Sequence, residues 1–101
     1  DDIYLPNSIS KIRKELNKDE VLITKFYSEY LKLIEGNLTI GSIGTPSGFI
    51  PNIPELMGEW KYQYNGDYYF YKETLNNFKK IKHSDIKVYS VKPHIYGIPN
   101  Y

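Results

Sequence analysis

Asn65-Gly66 stands between two aromatic-rich runs, residues 60–64 and 68–71. An Asn-Gly pair in that setting is the strongest short-range hairpin signal, because a type I′ turn needs positive φ at both central residues. The expected register places Tyr64 opposite Asp67, Tyr62 opposite Tyr69, and Trp60 opposite Tyr71. One face is then a ladder of rings, each cross-strand pair contributing roughly 0.2–1 kcal/mol. On the other face Gln63 meets Tyr68 and Lys61 meets Phe70. A lone hairpin is marginal in water, so the aromatic ladder needs another element to pack against.

The expected partner is a helix over residues 19–35. Asp19 is placed to cap it, and Gly36 supplies the stop. Ile23, Phe26, Tyr27, Tyr30, Leu33 and Ile34 form its apolar stripe. A shorter helix is expected over residues 8–16, capped by Ser8, with Ile9, Ile12 and Leu16 on one face. Before it, Pro6 keeps residues 1–7 extended. Residues 38–43 alternate weakly and form a candidate strand. Residues 41–54 hold Gly41, Gly44, Gly48, Pro46, Pro51 and Pro54 and read as a long irregular loop, with Pro54 opening a single turn to Met57. After the hairpin, Leu75, Phe78 and Ile81 point to a helix over residues 73–82. Residues 86–91 alternate as a strand that Pro93 ends. The tail from His94 to Tyr101 carries Ile95, Tyr96, Ile98 and Tyr101 and is apolar enough to dock.

These elements define the expected fold. It is one α+β domain over residues 1–101, an N-terminal helical hairpin packed on a small, largely antiparallel sheet that contains the Tyr-rich hairpin. Asp1 rather than Met at the start reads as a processed form or a piece of a longer chain. The compartment stays open between cytoplasm and secretion after processing. Asn37-Leu38-Thr39 matches the glycosylation tripeptide.

Composition excludes several chemistries. With no Cys there is no disulfide framework, no thiolate nucleophile and no Cys-based metal site. No apolar run is long enough to span a membrane. The absence of Ala, the 13 Ile and the 12 Lys against one Arg describe an AT-rich genome of bacterial or phage type. The 11 Tyr against 4 Phe do not follow from base composition, because Phe codons are equally AT-rich. Tyrosine suits a half-wet surface, where its ring is buried and its hydroxyl solvated. Net charge is +1, so no global field draws the chain to a polyanion. Residues 72–92 nevertheless hold six Lys against Glu73 and Asp85.

The chemical constellations are weak. His83-Ser84-Asp85 has the letters of a hydrolase triad, but adjacent residues in extended chain point in alternating directions, so a polar turn is the expectation. His83, Asp85 and His94 are metal-ligand types too far apart along one strand. Glu55 and Glu59 have acid–base spacing only if a helix crosses Gly58. The Gly-rich run of residues 41–48 leads into Phe49-Ile50-Pro51 rather than a helix, which a phosphate cradle would need. No catalytic residue, cofactor or metal is expected. Residues 60–70 resemble one repeat of the cell-wall choline-binding and glucan-binding modules. Those proteins stack many copies and this chain holds one, so the likeness is read as convergence on a good hairpin.

The expected function is a non-catalytic protein-binding module of inhibitor, immunity or accessory-subunit type. Its partner surface is expected at Tyr68, Phe70, Lys61 and Gln63, with Lys79, Lys80, Lys82 and Lys87 beside it. The alternative is a nucleic-acid binder that combines this Lys stripe with aromatic stacking. A third reading is a metal-independent ribonuclease-like toxin domain using His83 or His94.

Overall fold

A computed structural model describes residues 2–98. It places β1 at Ile3–Tyr4, α1 at Ser8–Glu15, β2 at Glu20–Tyr27, β3 at Leu33–Ile34 and β4 at Gly48–Phe49. After these come α2 at Gly66–Asn77, β5 at Lys80–Ser90 and a short α3 at Pro93–Tyr96. The architecture is α+β, with three helices and a five-stranded sheet among the described residues.

The expected helix over residues 19–35 is a strand, β2, followed by a turn and the short β3. The helical half of the expected N-terminal hairpin therefore ends with α1. The reason lies in burial. Val21, Leu22, Ile23 and Thr24 are consecutive and all buried, because β2 sits in the middle of the sheet with both faces covered. A strand buried on both faces loses its period of two and reads as a continuous apolar run. The β-branched Val21, Ile23 and Thr24 are the local cue for strand over helix.

Strand order is β1-β5-β2-β3, with β4 paired to β2 on the same side as β3. The short strands pair antiparallel, but the long central pair β2–β5 is parallel. The expected antiparallel sheet is corrected accordingly: its spine is parallel. Parallel neighbours need a long crossover, which residues 28–79 supply. Within this ladder Ile23 faces His83 and Lys25 faces Lys87, so β5 bulges at residues 84–86.

β2 separates two cores. On one face Ile12 of α1 packs with Leu22, Phe26, Ile34 and Val88. On the other, Phe70 and Tyr71 of α2 pack with Val21, Ile23, Ile43 and Phe78. The expected α1 is present, although Asn7 in the left-handed region precedes it and Ser8 is its first residue. Of its expected face only Ile12 is buried, while Ile9 and Leu16 are exposed.

The expected hairpin is absent. Asn65 does adopt positive φ (59°), but it precedes α2 and does not turn between strands. Phe70, Tyr71, Thr74 and Phe78 are the buried side chains there, a helical spacing that faces the sheet. The helix expected over residues 73–82 is the end of α2, and β5 has begun by Lys80. Residues 38–43 form tight turns instead of a strand, closed by the Gly36 amide donating to the Ser42 carbonyl at 2.7 Å. The single turn at Pro54–Leu56, the extended start and the strand over residues 86–90 are as expected. In the tail Tyr96 packs on Tyr30 with ring centroids 5.0 Å apart, whereas Ile95 and Ile98 are exposed. Tyr101 and Pro99 of the expected docking tail, and Asp1, lie outside the described residues. Among the described residues no helix is long and apolar enough to cross a membrane.

Candidate functional site

The segment before α2 is pinned at its start and open at its tip. The Gly58 amide donates to Thr74 Oγ1 at 2.9 Å, and Asn77 Nδ2 donates to the Leu56 carbonyl at 3.1 Å. A Cβ at Gly58 would lie 2.8 Å from the Phe70 carbonyl, so the approach to α2 requires glycine. This anchoring lays Trp60 flat on Phe70, with ring centroids 4.1 Å apart and planes 8° apart. Beyond it no core contact is available. Trp60 is 54% exposed, Tyr64 90% and Tyr62 110%, more open than in an extended peptide. The Gly66 amide closes the tip by donating to the Gln63 carbonyl at 3.1 Å.

Between this loop, α2 and the start of β5 lies a cleft of about 1100 Å³. Lys61, Gln63, Tyr69, Lys72, Ile81 and His83 contribute to its walls. Glu59 and Glu73 also line it, so it carries both signs of charge.

The expected partner-binding residues divide. Lys61 and Gln63 are exposed and in the cleft. Tyr68 is half-buried against the α2-side core, edge-on to Tyr69 at 5.0 Å. Phe70 is only 3% exposed and is corrected from surface to core. The helix turns Phe70 inward and Tyr69 outward, the reverse of the hairpin register. Lys79, Lys80 and Lys87 are exposed and Lys82 is half-buried. They do not form one stripe. Lys80 pairs with Asp19 at 3.2 Å, and the bulge separates Lys87 from the others. The exposed rings that sequence reasoning placed in the core are Trp60, Tyr62 and Tyr69. Their signal was available in the spacing of Phe70, Thr74 and Phe78, which fixes α2 and leaves residues 60–64 outside it.

The other constellations serve the fold. Ser84 Oγ accepts the Ile86 amide at 3.2 Å, the expected backbone bond, but residues 83–85 lie at the bulge inside β5 rather than in a turn between helix and strand, because β5 already begins at Lys80 to pair with β2. Lys25 Nζ lies 3.0 Å from Asp85 and 3.8 Å from Glu35. The hydrogen bond to Asp85 leads in holding the Lys25 ammonium above its ordinary range. His83 lies in β5 and His94 beyond its far end in α3. Glu55 sits in the Pro54–Leu56 turn and Glu59 in the cleft wall. Among the described residues no group of three His, Asp or Glu comes together as a metal site. Within the Gly-rich run Ile43, Gly44 and Ser47 are buried, while Gly41 and Thr45 are exposed. The Gly44 amide donates to Ser47 Oγ at 2.9 Å and the Gly48 amide to the Tyr71 hydroxyl at 2.8 Å, so neither points at a ligand.

Comparison with protein families, curated proteins and solved structures finds no match to this chain.

Proposed function

We propose that the chain is a non-catalytic protein-binding module that docks a partner through its tyrosine-rich surface. The observation that carries this reading is the open loop of residues 60–64. Trp60, Tyr62 and Tyr64 occupy alternate positions on a loop that is pinned at its base and closed at its tip by the Gly66–Gln63 bond, and Tyr62 and Tyr64 stand almost fully open. Aromatic rings held outside a core give up little conformational freedom on binding and bury large area, which suits them as interface anchors. Lys61, Gln63 and Tyr69 extend the surface into the adjoining cleft. An inhibitor, immunity protein or accessory subunit would use a surface of this kind.

The test compares partner capture by the wild-type chain and by Tyr62→Ala/Tyr64→Ala. Capture is expected to weaken at least about tenfold, roughly 1.4 kcal/mol, at unchanged melting temperature. Unchanged capture would remove the loop from the interface and sink the reading.

The nucleic-acid reading keeps one supporting observation, Lys61 lying between Trp60 and Tyr62 on the same open loop. It requires affinity for short oligonucleotides that falls steeply between low and physiological salt. Absence of binding at low salt would eliminate it.

A further inference from the structure

The longest strand has one side that is mostly without a neighbour. β2 pairs with β5 along one side. On the other, β1 reaches only Tyr89 and Ser90, and the Leu5 amide donates to the Val88 carbonyl at 2.9 Å. Among the described residues, residues 80–83 therefore have no strand partner on that side. Such an edge presents main-chain donors and acceptors to any extended chain that can reach it.

Clefts lie on either side of this edge. One is the cleft of about 1100 Å³ against α2, and the other, of about 500 Å³, lies against α1. His83 lines both. Successive side chains of an added strand point to opposite faces. One set would enter the α2 cleft, beside Ile81, Leu75 and Tyr69. The other would enter the α1 cleft, whose lining carries Lys11 and Lys87 together with Glu15 and the Lys25-bound Asp85.

We propose that residues 80–83 of β5 accept an extended acidic segment of a protein partner as an added strand. Its apolar side chains fill the α2 cleft and its carboxylates face the lysines. The charge of the occupant follows from the strand. Of Lys79, Lys80 and Lys82 along this edge, Lys80 is engaged by Asp19 at 3.2 Å, and Asp85 beyond the bulge is held by Lys25 at 3.0 Å, so Lys79 and Lys82 are left to meet the occupant. A second copy of this chain would set the same lysines against one another, which disfavours self-pairing. The bulge after His83 bends the strand and confines pairing to its first residues. This inference rests on the reading of the chain as a protein-binding module and specifies how a partner segment is held.

The probe is a fluorescein-labelled (Glu-Val)4 peptide. Its controls are (Lys-Val)4 and a (Glu-Val)4 peptide N-methylated at alternate residues, which lacks main-chain donors. With the full chain at low salt, (Glu-Val)4 is expected to bind and to slow amide exchange within residues 80–83 by about tenfold or more. Lys79→Glu/Lys82→Glu is expected to abolish this binding. If that variant melts early, the exchange comparison on the wild-type chain decides. The proposal is overturned by absence of (Glu-Val)4 binding, by equal binding of either control, or by protection only outside residues 80–83. Protection of these amides by dimerisation without peptide would assign the edge to a second copy and also overturn it. The two surfaces fail separately. Loss of the edge result with retained Tyr62/Tyr64-dependent capture leaves the module reading standing, and edge binding with Tyr62/Tyr64-independent capture sinks that loop-borne reading while the edge result stands.

Discussion

The Tyr71 hydroxyl accepts the Gly48 amide at 2.8 Å and donates to the Thr45 carbonyl at 3.0 Å. A helix residue thereby ties down the Gly-rich run that leads into β4. The fit is close on both sides, since a Cβ at Gly48 would lie 2.7 Å from Tyr71 Cε1. Phenylalanine at this position would fill the space and leave the amide unpaired, so this tyrosine is required for its hydroxyl.

Tyr71→Phe is expected to destabilise the chain by about 1–3 kcal/mol, the cost of a buried donor left without a partner. Urea denaturation measures it. A loss below the resolution of the titration would mean that the Gly48 amide finds another acceptor.

Alkaline pH tests the same group. Burial pushes the Tyr71 phenol up to about 12 from its ordinary 10.0, with Asp67 adding to the rise and the Gly48 hydrogen bond opposing it. Tyr89, which donates to Asp2 Oδ2 at 2.8 Å, is also pushed up to about 12, with desolvation as the largest cause. A group whose folded value exceeds its unfolded one supports the fold fully below the unfolded value and loses that support as pH rises toward the folded one. Stability is therefore expected to fall between pH 10 and about 12. Ultraviolet titration of phenolate should show a late-ionising fraction that shrinks in Tyr71→Phe.

Two glycines at similar angles should respond differently to alanine. Gly36 (φ +83°) and Gly41 (φ +86°) are both left-handed. A Cβ at Gly41 meets nothing within 4 Å, so Gly41→Ala carries only the backbone strain, roughly 1–2 kcal/mol. A Cβ at Gly36 would lie 2.5 Å from Ile23 Cγ2 and 3.1 Å from the Thr24 carbonyl. Gly36→Ala is expected to add about 1–3 kcal/mol of overpacking to that strain. Equal melting temperatures for the two variants would contradict the close packing of this turn on β2.

Phe70 and Tyr62 separate core from surface. Phe70→Ala is expected to cost about 3–5 kcal/mol, and Tyr62→Ala to stay within about 0.5 kcal/mol of wild type. Trp60 is the only tryptophan and stacks on Phe70, so its emission reports the same contact. Phe70→Leu should shift that emission, and Tyr62→Ala should leave it unchanged.

Local chemistry was legible in the sequence. The place of α1, the Pro54–Leu56 turn and the terminal part of β5 follow from local spacing, proline and alternation, although Ser8 is the first residue of α1 rather than its cap. Gly36 and Asn65 do take the left-handed backbone that their residue types favour. The absence of cysteine excluded thiol chemistry outright. The element that each local signal introduces was decided by distant parts of the chain. A left-handed Asn65 can open a hairpin or precede a helix. The choice fell to α2 because Phe70 and Tyr71 find Val21 and Ile23 of the sheet, about fifty positions earlier in the chain. β2 shows the same dependence. Its side chains are buried on both faces only once β5, β3 and β4 flank it and α1 and α2 cover it, and that burial erases the periodicity by which a strand is read. Residue type alone set where the backbone can bend and which chemistries are absent. Long-range packing set which aromatic rings face water, because orientation depends on what each element packs against.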